Sequence, residues 1–137
     1  MYLIDSNVIS EAMRARPEAR VIAWLDRRSG DCALSTIALF EVRLGLCSLP
    51  AGRRRDEMMG SLERIIARFG PRIYSFDRPS AEMAAELIGG CAGQGLTLSR
   101  GDAQIAGIAG AYGLTVVTRN GKDFEGTGLD IVNPWVD

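Results

Sequence analysis

Histidine does not occur anywhere in the 137 residues. Its absence removes Ser-His and Cys-His nucleophile pairs, imidazole-ligated zinc and imidazole acid–base work, so any ionic chemistry falls to carboxylates. Cysteine is scarce and odd in number: Cys32, Cys47 and Cys91 stand far apart with no C-x-x-C pair, which excludes a zinc knuckle or a redox motif. They are expected to be reduced, buried thiols. Lysine is nearly missing, with Lys122 alone among 16 basic residues, and the formal charge is only -1. There is no global field to attract a polyanion, so any nucleic-acid contact has to be local. The two parts of the chain do differ, since residues 1–72 carry 12 arginines against 9 acids and residues 73–137 carry 4 basic against 8 acidic groups. That weakly favours a phosphate-facing first half. Long apolar runs are absent too: Asp5 interrupts the run that begins at Met1, and nothing reaches the length of a spanning helix. A cytoplasmic location is the expectation.

What is present reads as one domain over residues 1–137, without a polar or Pro/Ser-rich break and without repeats. Tyr2 to Ile4 is a short apolar strand that opens into Asp5-Ser6-Asn7, small polar residues suited to cap a helix through Met13. Pro17 suits the first position of a second helix ending near Ser29-Gly30. Cys32 to Leu34 reads as a strand, and Ser35-Thr36 caps a helix from Ile37 to Ser48. That helix is apolar on most of its circumference and is expected to be heavily buried, with Glu41 in its middle. Arg53 to Phe69 has helical spacing, Ile73 to Phe76 is strand-like, and Asp77-Arg78-Pro79 starts a helix whose Met83, Leu87, Ile88 and Cys91 mark one face until the glycines at 89, 90, 93 and 95. Ser99 caps a helix from Arg100 to Tyr112, whose alanines and glycines permit close packing. Leu114 to Thr118 is a buried strand, and Asp130 to Val132 a last one. Strands separated by helices predict an α/β fold: a parallel sheet of four to five short strands with helices on both faces.

Open parallel sheets bind ligands beyond the carboxyl ends of their strands. Asp5 follows the first strand, Glu41 lies about two turns into the helix after the second, Asp102 opens the helix before the fourth, and Asp123 lies in the loop after it. Two carboxylates about 5 Å apart repel by roughly 3 kcal/mol at an effective dielectric of about 20, so such a cluster protonates in part or holds a cation. All-oxygen ligands without His or Cys favour Mg²⁺ or Mn²⁺. Each acid also has a plain structural reading. Asp5 can be a helix cap, Asp102 the acid of a Ser99-x-x-Asp102 capping box, and Asp123 a turn residue. Glu41, between Phe40 and Val42, is expected to be buried, with Arg43 or Arg100 as its partner. The set informs more than its members do.

The order Asp5-Ser6-Asn7-Val8-Ile9-Ser10-Glu11, Ser35-Thr36-Ile37 with Glu41-Val42, Leu98-Ser99-Arg100-Gly101-Asp102-Ala103 and Val117-Thr118-Arg119-Asn120-Gly121-Lys122-Asp123-Phe124 resembles the PIN-domain ribonucleases across essentially the whole chain. Within them it is most similar to VapC- and FitB-type toxins of bacterial toxin–antitoxin modules. The resemblance implies a PIN-like, Rossmannoid fold and a Mg²⁺- or Mn²⁺-dependent endoribonuclease. Asp5 and Asp102 would be metal ligands, Glu41 the acid beside them and Asp123 the fourth acid. Asn7 and Thr118 would be supporting polar residues, and Asn120 would stand where members carry Asp or Asn. It further implies a homodimer, an RNA substrate and a cognate antitoxin. A haloacid-dehalogenase-like phosphatase, which wants Asp where Asn7 stands, and a receiver domain, for which Asp77 lacks companions, both fit poorly; the non-enzyme alternative is a catalytically inactive PIN-like or other α/β module that binds RNA or protein. Trp24 and Trp135 are either core or interface residues, and Arg53-Arg54-Arg55 either an RNA or antitoxin contact or a solvated face.

Overall fold

The computed structural model describes residues 1–137. Strand β1, Tyr2–Ile4, is followed by α1, Ser6–Ala12, and α2, Ala19–Arg27. Then come β2, Cys32–Ser35, with α3, Thr36–Cys47, and α4, Arg53–Phe69. Strand β3, Ile73–Tyr74, leads to α5, Arg78–Gly93, and α6, Arg100–Tyr112; β4, Thr115–Val117, and β5, Ile131–Val132, complete the sheet. A short 3₁₀ turn, Gly121–Phe124, lies between the last two strands. All strand pairs are parallel, in the order β3-β2-β1-β4-β5. The chain therefore walks outward from β1 through β2 to β3, then crosses back to place β4 against β1. Right-handed connections, the rule for such units, set α1 to α4 on one face and α5 with α6 on the other. The reversal point lies between β1 and β4, and the first residue after β1 is Asp5.

Side chains of both faces meet the sheet in one core that includes Leu3, Ile4, Leu34, Val116 and Val117, all essentially without solvent contact. Trp24 belongs to it, with its ring edge-on to Tyr2 at 5.0 Å. On the α5–α6 side the expected close packing is present: a Cβ at Gly107 would come within 2.3 Å of the Ser80 carbonyl oxygen and 2.8 Å of the Ala84 Cβ. Several sequence expectations need correction. Pro17 precedes α2 rather than opening it, because Glu18 has extended backbone and occupies the N-cap position. Helix α5, by contrast, ends at Gly93, among the glycines expected to close it and past Cys91 on its expected face; Leu87 and the fully buried Cys91 hold its last turns, their packing offsetting glycine's cost of about 1 kcal/mol each. Helix α3 is not buried on most of its circumference. Ala38, Val42 and Leu46 form the single inward stripe, leaving Phe40 and Leu44 more than half exposed. Cys47, one position past that stripe, is exposed as well, whereas Cys32 and Cys91 are buried.

Candidate active site

Strand β1 ends where its neighbour β4 ends, and Asp5 is fastened to both elements that flank it. Its backbone N–H donates to the Val117 carbonyl at 3.0 Å. Its carboxylate caps α1, with Oδ1 accepting from the Ser6 N–H at 2.8 Å. The other oxygen, Oδ2, accepts from the Thr118 hydroxyl at 2.8 Å and from Asn7 Nδ2 at 3.3 Å. Asn7 Nδ2 also donates to Thr118 Oγ1 at 3.0 Å, and its own oxygen accepts the Arg119 N–H at 3.2 Å. Thr118 Oγ1 further accepts the Asn120 N–H at 3.2 Å. Asp5 is thus a helix cap and a cleft acid at once. The two readings open in the sequence do not compete.

Asp5, Asn7, Glu41, Asp102, Asn120 and Asp123 line one open cleft of about 290 Å³ with Ser6, Ser10 and Val42. Of the seven acids and supporting polar residues expected at the site, only Thr118 stands outside it, fully buried behind Asp5. Asp102 opens α6, where the Ser99 hydroxyl accepts its backbone N–H at 3.2 Å and donates to its carboxylate at 2.8 Å. Ser99 is therefore a real N-cap, but the reciprocal half of a capping box is missing: the Asp102 carboxylate is held by the Ser99 hydroxyl, not by the Ser99 backbone N–H, and that bond aims the acid. Glu41 departs from expectation. Its side chain is exposed rather than buried, Arg43 pairs instead with Glu63 on α4, and Arg100 makes no ion pair. The reason is the outward turn of α3: Glu41 lies beside the inward residue Val42 and opens onto the cleft instead of the core. Ser10, a turn after Ser6 on α1, was not singled out from sequence; its i,i+4 spacing to Ser6 was the available signal.

Electrostatics join the four acids. Burial raises the Asp5 carboxyl above its ordinary range, hydrogen bonds from Thr118 and Ser6 pull it back in part, and the negative charge of Asp102 adds to the rise. Glu41 is raised by partial desolvation in the cleft wall, then by the charges of Asp5 and Asp102. Asp102 is raised by desolvation as well, with Asp123 adding to it against the pull of Ser99. Asp5, Glu41 and Asp102 are each made less willing to ionise by another acid of the cleft. No three of them stand close enough to grip a metal ion directly as a closed set. The donor set remains all oxygen, open to solvent and excess in negative charge. It suits a hard ion that keeps several of its waters and takes only one or two protein carboxylates, not zinc or a soft metal.

Residues 2–128 match the PIN domain family. Toxin FitB of Neisseria gonorrhoeae is 37% identical over 139 residues, covering all of both chains. A VapC ribonuclease of Sinorhizobium fredii is 37% identical over 137 residues, covering 98% of each. Among solved structures, FitAcB from Neisseria gonorrhoeae matches with a TM-score of 0.92 at 37% identity, covering 98% of this chain and 99% of the other.

Proposed function

This chain belongs to the PIN-domain family and is a VapC/FitB-like toxin ribonuclease of a toxin–antitoxin system, and on that premise we propose that the cleft of Asp5, Glu41, Asp102 and Asp123 takes up Mg²⁺ or Mn²⁺, with one or two of these carboxylates as direct ligands and the others acting through its waters, and cuts RNA phosphodiesters. Family members are typically metal-dependent nucleases. The observation that carries the reading is the gathering of four mutually repelling carboxylates in one open cleft at the carboxyl edge of the sheet. A hard divalent ion bound there supplies a water of lowered pKa and positive charge for a phosphate oxygen. Thr118 and Asn7 hold Asp5 in one rotamer, and Ser99 does the same for Asp102, so both carboxylates are preorganised. Glu41, more loosely held, and Asp123, exposed in the 3₁₀ turn, complete the charge that draws the ion in. Asn120, uncharged at the same lip, leaves that loop one carboxylate poorer than in family members with Asp there.

We read residues 1–137 as a single PIN domain and its partners as an RNA substrate, a cognate antitoxin and a second copy of itself. Complexes with antitoxins are found among the relatives' structures. The exposed Phe40 and Leu44 on α3 support the second copy. No helix is long and apolar enough to cross a membrane. The test is RNA cleavage with Mg²⁺ or Mn²⁺ by highly purified protein. Asp5→Asn and Asp102→Asn should each lose about 100-fold or more in rate while circular dichroism stays native, the scale expected for damage to a metal site. Full activity in Asp5→Asn would defeat the assignment of the site, and no cleavage by the wild-type chain would leave an RNA- or protein-binding module as the reading.

A further inference from the structure

Five of the chain's arginines are neutralised by acids: Arg14 by Glu11, Arg43 by Glu63, Arg53 by Glu57, Arg68 by Asp26 and Arg78 by Glu82. The other ten arginines form no ion pair, and among them Arg119 and Arg20 are connected to the acid cleft by a chain of contacts, with Arg27 beside Arg20. The Arg119 backbone is fixed to Asn7, which lines the cleft, while its guanidinium carbon lies 5.0 Å from the centre of the Trp135 ring. The Trp135 carbonyl accepts from the Arg20 guanidinium at 3.3 Å. Arg27 follows two turns along α2, on the same side as Arg20, and the two line a second cleft of about 290 Å³ with Pro134, Val136 and Asp137. The single acidic side chain in that cleft, Asp137, accepts the Asn133 N–H at 2.6 Å.

We propose that Arg119, Arg20 and Arg27 form a basic track that leads the RNA strand away from the acid cleft, with Arg119 as its first phosphate contact. This rests on the nuclease reading and adds the path of the substrate. A polyanion approaching four carboxylates is repelled on both sides of the bound ion, and cations placed just outside the cleft offset that repulsion. An arginine held over an indole is preorganised, so binding a phosphate costs it little further ordering. Cations already tied to carboxylates have less to offer.

The experiment uses the full chain carrying Asp102→Asn, so that RNA survives, with fluorescently labelled single-stranded oligouridine followed by anisotropy across a salt series. Arg119→Ala and the pair Arg20→Ala/Arg27→Ala should each weaken binding severalfold and lower the slope of log K against log salt by about 0.7 per arginine. Arg119→Lys should keep the slope, which separates lost charge from lost folding. Arg78→Ala, on α5, should change neither. In the otherwise wild-type enzyme the arginine variants should raise KM with kcat unchanged. Unaltered slopes in both arginine variants would overturn the track, as would weakened antitoxin binding with RNA binding intact. Salt-dependent RNA binding that the arginine variants weaken, together with no cleavage by the wild-type chain, would leave the track standing and the nuclease reading refuted.

Discussion

Asp5 pays for its position, because a carboxylate with almost no solvent contact faces two others across a small space. In the metal-free protein this has a definite sign. The folded-state pKa values of Asp5, Glu41 and Asp102 lie above their ordinary range, so the native state binds more protons than the unfolded chain between the two values. Stability therefore falls as pH rises through that window and recovers as pH drops back through it. Asp102→Asn should raise the metal-free melting temperature by about 2–3 °C, a modest figure because the side chain is partly solvated. The same substitution should shrink the stabilisation produced by added Mn²⁺, read by calorimetry with and without the ion. An unchanged or lower metal-free melting point would contradict the repulsion. At this scale much was legible in the sequence. An Asp directly after a strand, followed by Ser and Asn, declares its place. The exposure of Glu41 was not legible, because apolar neighbours in sequence say nothing about which of them face a partner-free side. The burial of Thr118 was legible from its place at the end of an apolar strand, but its bond to Asp5, 113 residues away, was not.

Helices α5 and α6 show how far element packing limits side-chain choice. Alanine is the better helix former, yet Gly107→Ala should destabilise the protein by about 1–3 kcal/mol, because the new methyl group collides with the backbone of α5. Denaturant melts would measure it, and a gain in stability would show that α5 can yield. At the other end of the pair, Asp77 caps α5 through the Ser80 N–H at 3.1 Å and accepts the Tyr112 hydroxyl from the end of α6. That hydroxyl is the main reason the Asp77 carboxyl lies below its ordinary range. A depressed acid contributes stability above its unfolded pKa and loses it as pH falls through the folded one. Tyr112→Phe should therefore be less stable than wild type at neutral pH, with the gap closing in acid below about pH 4, where carboxylates protonate. A gap constant with pH would assign the loss to packing alone. Caps such as Ser35, Asp77 and Ser99 could be read from sequence because capping is local chemistry. The extent of α5 was legible as well, from the apolar face that Leu87 and Cys91 share, although its passage through Gly89 and Gly90 relies on tertiary contacts at those two residues.

For the molecule as a whole, alternation of strand and helix signals already fixed a parallel α/β sheet with the acids at its carboxyl edge. Strand order was beyond it, since nothing local in β4 says that it lies against β1. The outward face of α3 was misjudged for a related reason: composition gives the apolar content of a helix, not which side finds a neighbour within the same chain. If that side is covered by a second copy, Phe40→Glu with Leu44→Glu should halve the mass seen by light scattering at micromolar concentration while leaving circular dichroism native. An unchanged mass would place the contact elsewhere or remove it.

The pairing of β1 with β4 has a temporal side. Asp5 leaves the ribosome 113 residues before Thr118, whose hydroxyl, with the strand β4 before it, completes its surroundings. A nascent toxin cannot assemble its cleft until those later elements have been translated. Fragments released by stalled ribosomes before that point would be harmless to the cell that makes them.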